Sequence, residues 1–140
     1  MRFGITAYPA RNWSTATAIA SPSADAAASA TSALPLSPAI RVGNRLYVSG
    51  MLGNTADNKG NAKAQTTETL ARIGRTLTAA GFDWKDVVDG VVYLPDMAHY
   101  ADMNTAYRTV FTKDFPARAT VGTGLVNADG LVEIMMTAVK

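Results

Sequence analysis

Phe115-Pro-Ala-Arg-Ala-Thr-Val-Gly122 and Gly130-Leu-Val-Glu-Ile-Met-Met-Thr-Ala-Val-Lys140 are the runs whose reading decides the fold. Both are β-like, and Val126-Asn-Ala-Asp-Gly130 between them is a turn cluster, so the segment predicts a hairpin. Side chains alternate along a strand, which puts Val132, Ile134, Met136 and Ala138 on one wholly apolar face. Glu133 falls on the other face, beside Leu131 and Met135. In the first run Arg118, Thr120, Gly122 and Gly124 share a face. With the turn centred near Asn127, Glu133 lies opposite Gly122 and on the side of Arg118. That register points a permanent cation and a carboxylate to one side of a sheet, with two glycines leaving room between them. A solvated Arg and Glu on an exposed face satisfy the same spacing.

The chain around this segment has 140 residues, the size of one domain, and its 48% apolar content is enough to build a core. A net charge of +2 without a Lys/Arg run gives no nucleic-acid patch, and no aromatic–basic stripe offers a stacking surface. No apolar stretch reaches the roughly 18 residues that a membrane span requires. Cysteine is absent, which removes disulfides, thiolate nucleophiles and zinc–thiolate sites. A single histidine, His99, argues against a multi-histidine metal centre.

Residues 1–33 read as a flexible extension, because from Ser14 to Ala33 the chain is almost entirely Ala, Ser and Thr. The segment lacks the apolar region of a secretory signal, so a cytoplasmic location is expected; export is the alternative if these residues derive from a leader. The domain is expected over residues 34–140. Ala39-Ile-Arg-Val, Gly43-Asn44 and Arg45-Leu-Tyr-Val-Ser give strand, tight turn and strand, ended by Ser49-Gly50. Leu70, Ile73 and Leu77 mark a helix over residues 64–80, stopped by Gly81. Residues 87–94 form a buried strand closed by Pro95, and Asp96 caps a second helix over residues 97–112. The order ββαβαββ predicts an α+β sandwich, a mixed sheet with two helices on one face. The other face then needs cover.

Several of these stretches resemble the Rid family, the reactive-intermediate deaminases. They are Pro116-Ala-Arg-Ala-Thr-Val121, Leu131-Val-Glu-Ile134, Ser37-Pro-Ala-Ile-Arg-Val-Gly-Asn-Arg-Leu-Tyr-Val-Ser-Gly50, Ala79-Ala-Gly81, Asp86-Val-Val88 and Met103-Asn-Thr-Ala-Tyr107. The resemblance implies a chorismate-mutase-like fold, a homotrimer with ligand sites in the clefts between subunits, and no cofactor. It also implies hydrolytic deamination of 2-enamine and 2-imine acids such as 2-aminoacrylate to 2-oxo acids and ammonia. By the same resemblance Arg118 holds the substrate carboxylate and Glu133 orients water. Ser49, Gly50, Asn104 and Thr120 match positions that line the family's pocket. Thr120 stands where well-known members have cysteine. Ala39 is read as replacing a family tyrosine that reaches the substrate, which would open the pocket.

The chemistry of these residue types fits that role. A guanidinium presents a planar fork of donors to a carboxylate and stays charged at any useful pH. Orientation and general acid–base assistance accelerate imine hydrolysis without a prosthetic group. Locally, Ser49 reads equally as a strand-end hydroxyl bonded to backbone, and Asn104 as a solvent-facing helix residue. Tyr47, Tyr93 and Tyr107 read as packing residues, and His99 as a surface one. The competing function is a non-catalytic binder of small 2-oxo or amino acids using the same Arg118 clamp. Ribonuclease activity finds little support in a chain with one histidine and no basic patch.

Overall fold

The computed structural model describes residues 16–19 and 34–140. Six strands form one sheet: β1 (Ala16–Ile19), β2 (Ala39–Val42), β3 (Arg45–Leu52), β4 (Val87–Leu94), β5 (Ala117–Gly122) and β6 (Glu133–Val139). Two helices, α1 (Ala62–Ala79) and α2 (Tyr100–Tyr107), complete the α+β architecture. The sheet order is β1-β2-β3-β6-β4-β5. All neighbours are antiparallel except β4 and β5, which run parallel with α2 as their crossover.

The expected hairpin between the last two strands does not form. β5 and β6 are separated by β4, which pairs with both. The physical reason is the crossover: a strand that returns through a helix lies parallel beside the strand it left, so β5 takes the outer edge of β4. β6 then enters between β3 and β4, where its apolar alternate residues are covered on both sides. The shared face of Arg118 and Glu133 falls with the hairpin. Arg118 is level with Gly90, and Gly90 with Met136, all on the helix side of the sheet. Glu133 is level with Tyr93 on the opposite side.

The predicted faces otherwise hold. Val132, Ile134, Met136 and Ala138 are buried, as are Leu70, Ile73 and Leu77 of α1. Asn61 caps α1 by accepting from the Ala64 amide at 2.9 Å, and Gly81, at φ +79°, supplies the left-handed turn beyond its end. α2 is shorter than expected. Its first turn is a 3₁₀ segment, Met97–His99, capped by Asp96, and the chain leaves the helix after Tyr107.

Two further expectations are corrected. The segment read as a flexible extension contributes a strand, Ala16–Ile19, that pairs with β2; the rest of residues 1–33 lies outside the described residues. Its alternation of small and β-branched residues suits an edge strand, a feature its low hydrophobicity concealed. Ala39 does not open a pocket. It is fully buried in the core, level with Val48. Among the described residues no helix is long and apolar enough to cross a membrane.

Candidate active site

Arg118 leaves the edge strand β5 on its helix side and lies across α2. Its Nη2 donates to Asn104 Oδ1 at 2.8 Å, and its guanidinium carbon sits 4.7 Å from the centre of the Tyr107 ring and 5.9 Å from that of Tyr100. A weak contact of Nη1 with Met103 Sδ, 3.7 Å, completes the brace. Residues 100, 103, 104 and 107 follow the i, i+3, i+4, i+7 spacing of one helix face, so α2 offers a single surface to the cation. The guanidinium is thus held by ring faces and an amide rather than by an acid. Among the described residues Arg118 has no carboxylate partner. It lines a cavity of about 300 Å³ with Asn104, Tyr107, Arg108, Phe115 and Pro116. Thr120 follows two residues along the same strand and face, level with Val92.

The two tyrosines were not anticipated as parts of this site. Tyr107 does pack, tilted against Phe111 with ring centres 4.7 Å apart, yet the same ring underlies Arg118. Burial pushes its phenol up to about 12, against the pull of the Arg118 charge and with a small push from Asp89. Its hydroxyl has no partner among the described residues. The Asn104 amide and then the Arg118 charge hold the exposed Tyr100 phenol below its usual value. The signal that would have found them is the spacing Tyr100, Asn104, Tyr107 on one helix face.

The other candidate residues gather on the far face of the sheet, where β3 meets β6. A register shift between Val48 and Met51 places Ser49 and Gly50 at a bulge, and Leu52 is level with Glu133. The Glu133 side chain lies directly over Gly50: a Cβ at residue 50 would collide with Glu133 Oε1. A side chain at residue 50 would push that carboxylate aside. Among the described residues the half-buried Glu133 carboxylate has no ion pair. The Ser49 hydroxyl donates to the Ser37 carbonyl at 2.6 Å, and the Ser49 amide to that of Pro38 at 2.9 Å. Ser49 therefore clasps the segment before β2, as its local reading held.

Glu133 is also positioned from behind. Gln65, fully buried in α1, donates from Nε2 to the Asp129 carbonyl at 2.9 Å and accepts from the Leu131 amide at 2.8 Å through Oε1. This clasp fixes the chain just before β6 begins.

The candidate residues thus form two groups: Arg118, Asn104 and Thr120 on the helix side, and Ser49, Gly50 and Glu133 on the other. Counting two strands across and three residues along, the backbones at 118 and 133 stand about 14 Å apart, with their side chains on opposite faces. No single small acid spans them within one chain. Tyr47 and Tyr93 lie on the Glu133 side, the Tyr93 hydroxyl against Met135 Sδ at 3.3 Å. His99 sits in the 3₁₀ turn before α2, and no group of three or more His, Cys, Asp or Glu side chains suited to a metal occurs among the described residues.

Residues 26–140 match the endoribonuclease L-PSP family. A protein named 3-aminoacrylate deaminase RutC from Acinetobacter baylyi is 39% identical over 108 residues, 74% of this chain and 86% of that protein. A 2-iminobutanoate/2-iminopropanoate deaminase from Bos taurus is 34% identical over 110 residues, covering 76% of this chain and 80% of its own length. The crystal structure of a YjgF-family protein from Neisseria meningitidis superposes with a TM-score of 0.70 at 38% identity, over 76% of this chain and 89% of that one.

Proposed function

Because the chain belongs to the endoribonuclease L-PSP (YjgF) family, we propose that it hydrolyses reactive 2-enamine and 2-imine acids, such as 2-aminoacrylate, to 2-oxo acids and ammonia. The observation that carries this reading is Arg118, a guanidinium steadied by Asn104 and Tyr107 and free of any carboxylate among the described residues. A substrate carboxylate is the natural occupant of its remaining donors.

Arg118 fixes the acid group, and with it the plane of the adjacent C=N bond. The enamine is protonated at its terminal carbon to give the imine. Water, steered by Glu133, adds to C2, and a proton passes to nitrogen. The C–N bond breaks as the carbonyl forms. One water enters and one ammonia leaves, with no change of oxidation state overall, so the sequence needs no redox partner. General acid–base assistance of this kind contributes roughly 10²–10⁴-fold.

The separation of Arg118 from Glu133 favours a site shared between copies. In a homotrimer the uncovered sheet face carrying Glu133, Ser49 and Gly50 would meet the Arg118 edge of a neighbour. Tyr47, Val91, Tyr93 and Met135 give that face the apolar surface for such a contact. The alternative of a non-catalytic binder drew on an opened pocket at residue 39, and a buried Ala39 withdraws that support.

The test generates 2-aminoacrylate from serine with a dehydratase and follows decay of the imine. Wild type should clear it well above the rate in buffer, with kcat/KM falling about 100-fold or more in Arg118→Ala. Equal clearance by the two proteins overturns the reading.

A further inference from the structure

The cavity beside Arg118 contains a second guanidinium. Its six lining residues are Asn104, Tyr107, Arg108, Phe115, Pro116 and Arg118, and none is acidic. Arg108 follows Asn104 by one helical turn, at the C-terminal cap of α2. Its guanidinium carbon lies 5.5 Å from the centre of the Phe115 ring, which is itself 52% exposed. Among the described residues neither arginine has an ion-pair partner. Each is held over an aromatic ring on the wall of the same small space.

A cation at a helix C-terminus is favourable in its own right, and that accounts for an arginine at position 108. It does not account for the placement. A guanidinium held by nothing but solvent would turn away from Arg118, since like charges repel. Stacking on Phe115 instead keeps it on the cavity wall. Two unpaired fork donors in a space of about 300 Å³ match an occupant with two acidic groups.

We propose that Arg108 is a specificity-determining residue, receiving a second carboxylate on the substrate's side chain, so that the cleft prefers the imines of dicarboxylic amino acids. The proposal rests on the Arg118 clamp set out above and adds the substrate class. The C1 carboxylate sits at Arg118. The distal carboxylate reaches past Pro116 toward Arg108 and Phe115.

Calorimetric titration with 2-oxobutyrate and 2-oxoglutarate, stable analogues of the mono- and diacid products, tests it on the full chain. Wild type should bind the diacid about tenfold more tightly. Arg108→Ala should erase that preference by weakening the diacid alone, and Arg108→Lys should keep part of it. Arg108 is exposed, so neither change threatens folding. In turnover, Arg108→Ala should raise KM for the imine of aspartate and leave kcat for the imine of alanine unchanged. Equal affinity of wild type for the two acids overturns the proposal, as does an equal loss for both in Arg108→Ala. These outcomes leave the clamp intact if Arg118→Ala still abolishes 2-oxobutyrate binding. If Arg118→Ala binds 2-oxobutyrate normally, the clamp itself fails.

Discussion

The two faces of the sheet hold candidate residues in different ways. On the helix side, Arg118 is braced by Asn104 and two tyrosine rings, so its position is set within one chain. On the far side, Glu133 lies over Gly50 with no ion-pair partner among the described residues. One half is preorganised by contacts to its charged group, and the other by the space left around it. The Arg118 half is finished within one chain. The Glu133 half has its backbone fixed by the Gln65 clasp and its carboxylate without an ion pair among the described residues.

The most decisive way to break this comparison is complementation. Arg118→Ala and Glu133→Ala should each be inactive in the 2-aminoacrylate assay. If the halves meet across a subunit seam, unfolding and refolding the two together should restore activity to about a quarter of wild type, the share of seams that receive both intact halves in a random cyclic assembly. No recovery would place both residues in the service of one chain and undo the shared site.

A smaller effect separates the halves from each other. Gly50→Ala puts a Cβ where Glu133 Oε1 now lies, so the carboxylate must swing away. Turnover should fall, by at most the roughly 10²–10⁴-fold that acid–base assistance contributes. Binding of 2-oxobutyrate at the proposed Arg118 clamp should change little. A parallel loss of binding would mean that the two groups are not independent.

The smallest effect concerns the brace. The Tyr107 phenol is raised to about 12 by burial, whereas an unfolded chain ionises it near 10. Below pH 10 both states are protonated and its contribution is intact. As pH rises from 10 toward 12 only the unfolded state loses the proton, and stability drops by up to about 2–3 kcal/mol. Tyr107→Phe should flatten that part of the alkaline unfolding profile. At pH 7 it should cost little, because the hydroxyl has no partner among the described residues to lose. A variant with an unchanged alkaline slope would show that the phenol is solvated.

Much of the fold can be read from residue order. The period of two in Val132, Ile134, Met136 and Ala138 predicts a buried face, and the Leu70, Ile73, Leu77 stripe predicts α1; both hold because each pattern is a local consequence of strand or helix geometry. The neighbour of a strand is not local. Nothing in residues 115–140 alone says that β4 inserts between the last two strands, so the pairing was misjudged and the shared face with it. Arg118, Asn104 and Thr120 do come to one side, and Ser49, Gly50 and Glu133 to the other, each set carried by its own elements. Ala39 was misread because a small apolar residue looks the same in sequence whether it opens a cavity or fills a tight core. Arg108 and Phe115 passed unnoticed because their stacking joins the end of a helix to a loop, and no periodicity links such positions.

The Gln65 clasp has a consequence for how this scaffold can vary. By gripping the Asp129 carbonyl and the Leu131 amide from the interior, it insulates the start of β6 from whatever precedes it. Residues 124–126, between the Thr123 amide bonded to the Leu94 carbonyl and the Asn127 turn, can lengthen, shorten or change character without moving the carboxylate two positions past the clasp. The loop before β6 can therefore diverge while Glu133 keeps its place over Gly50.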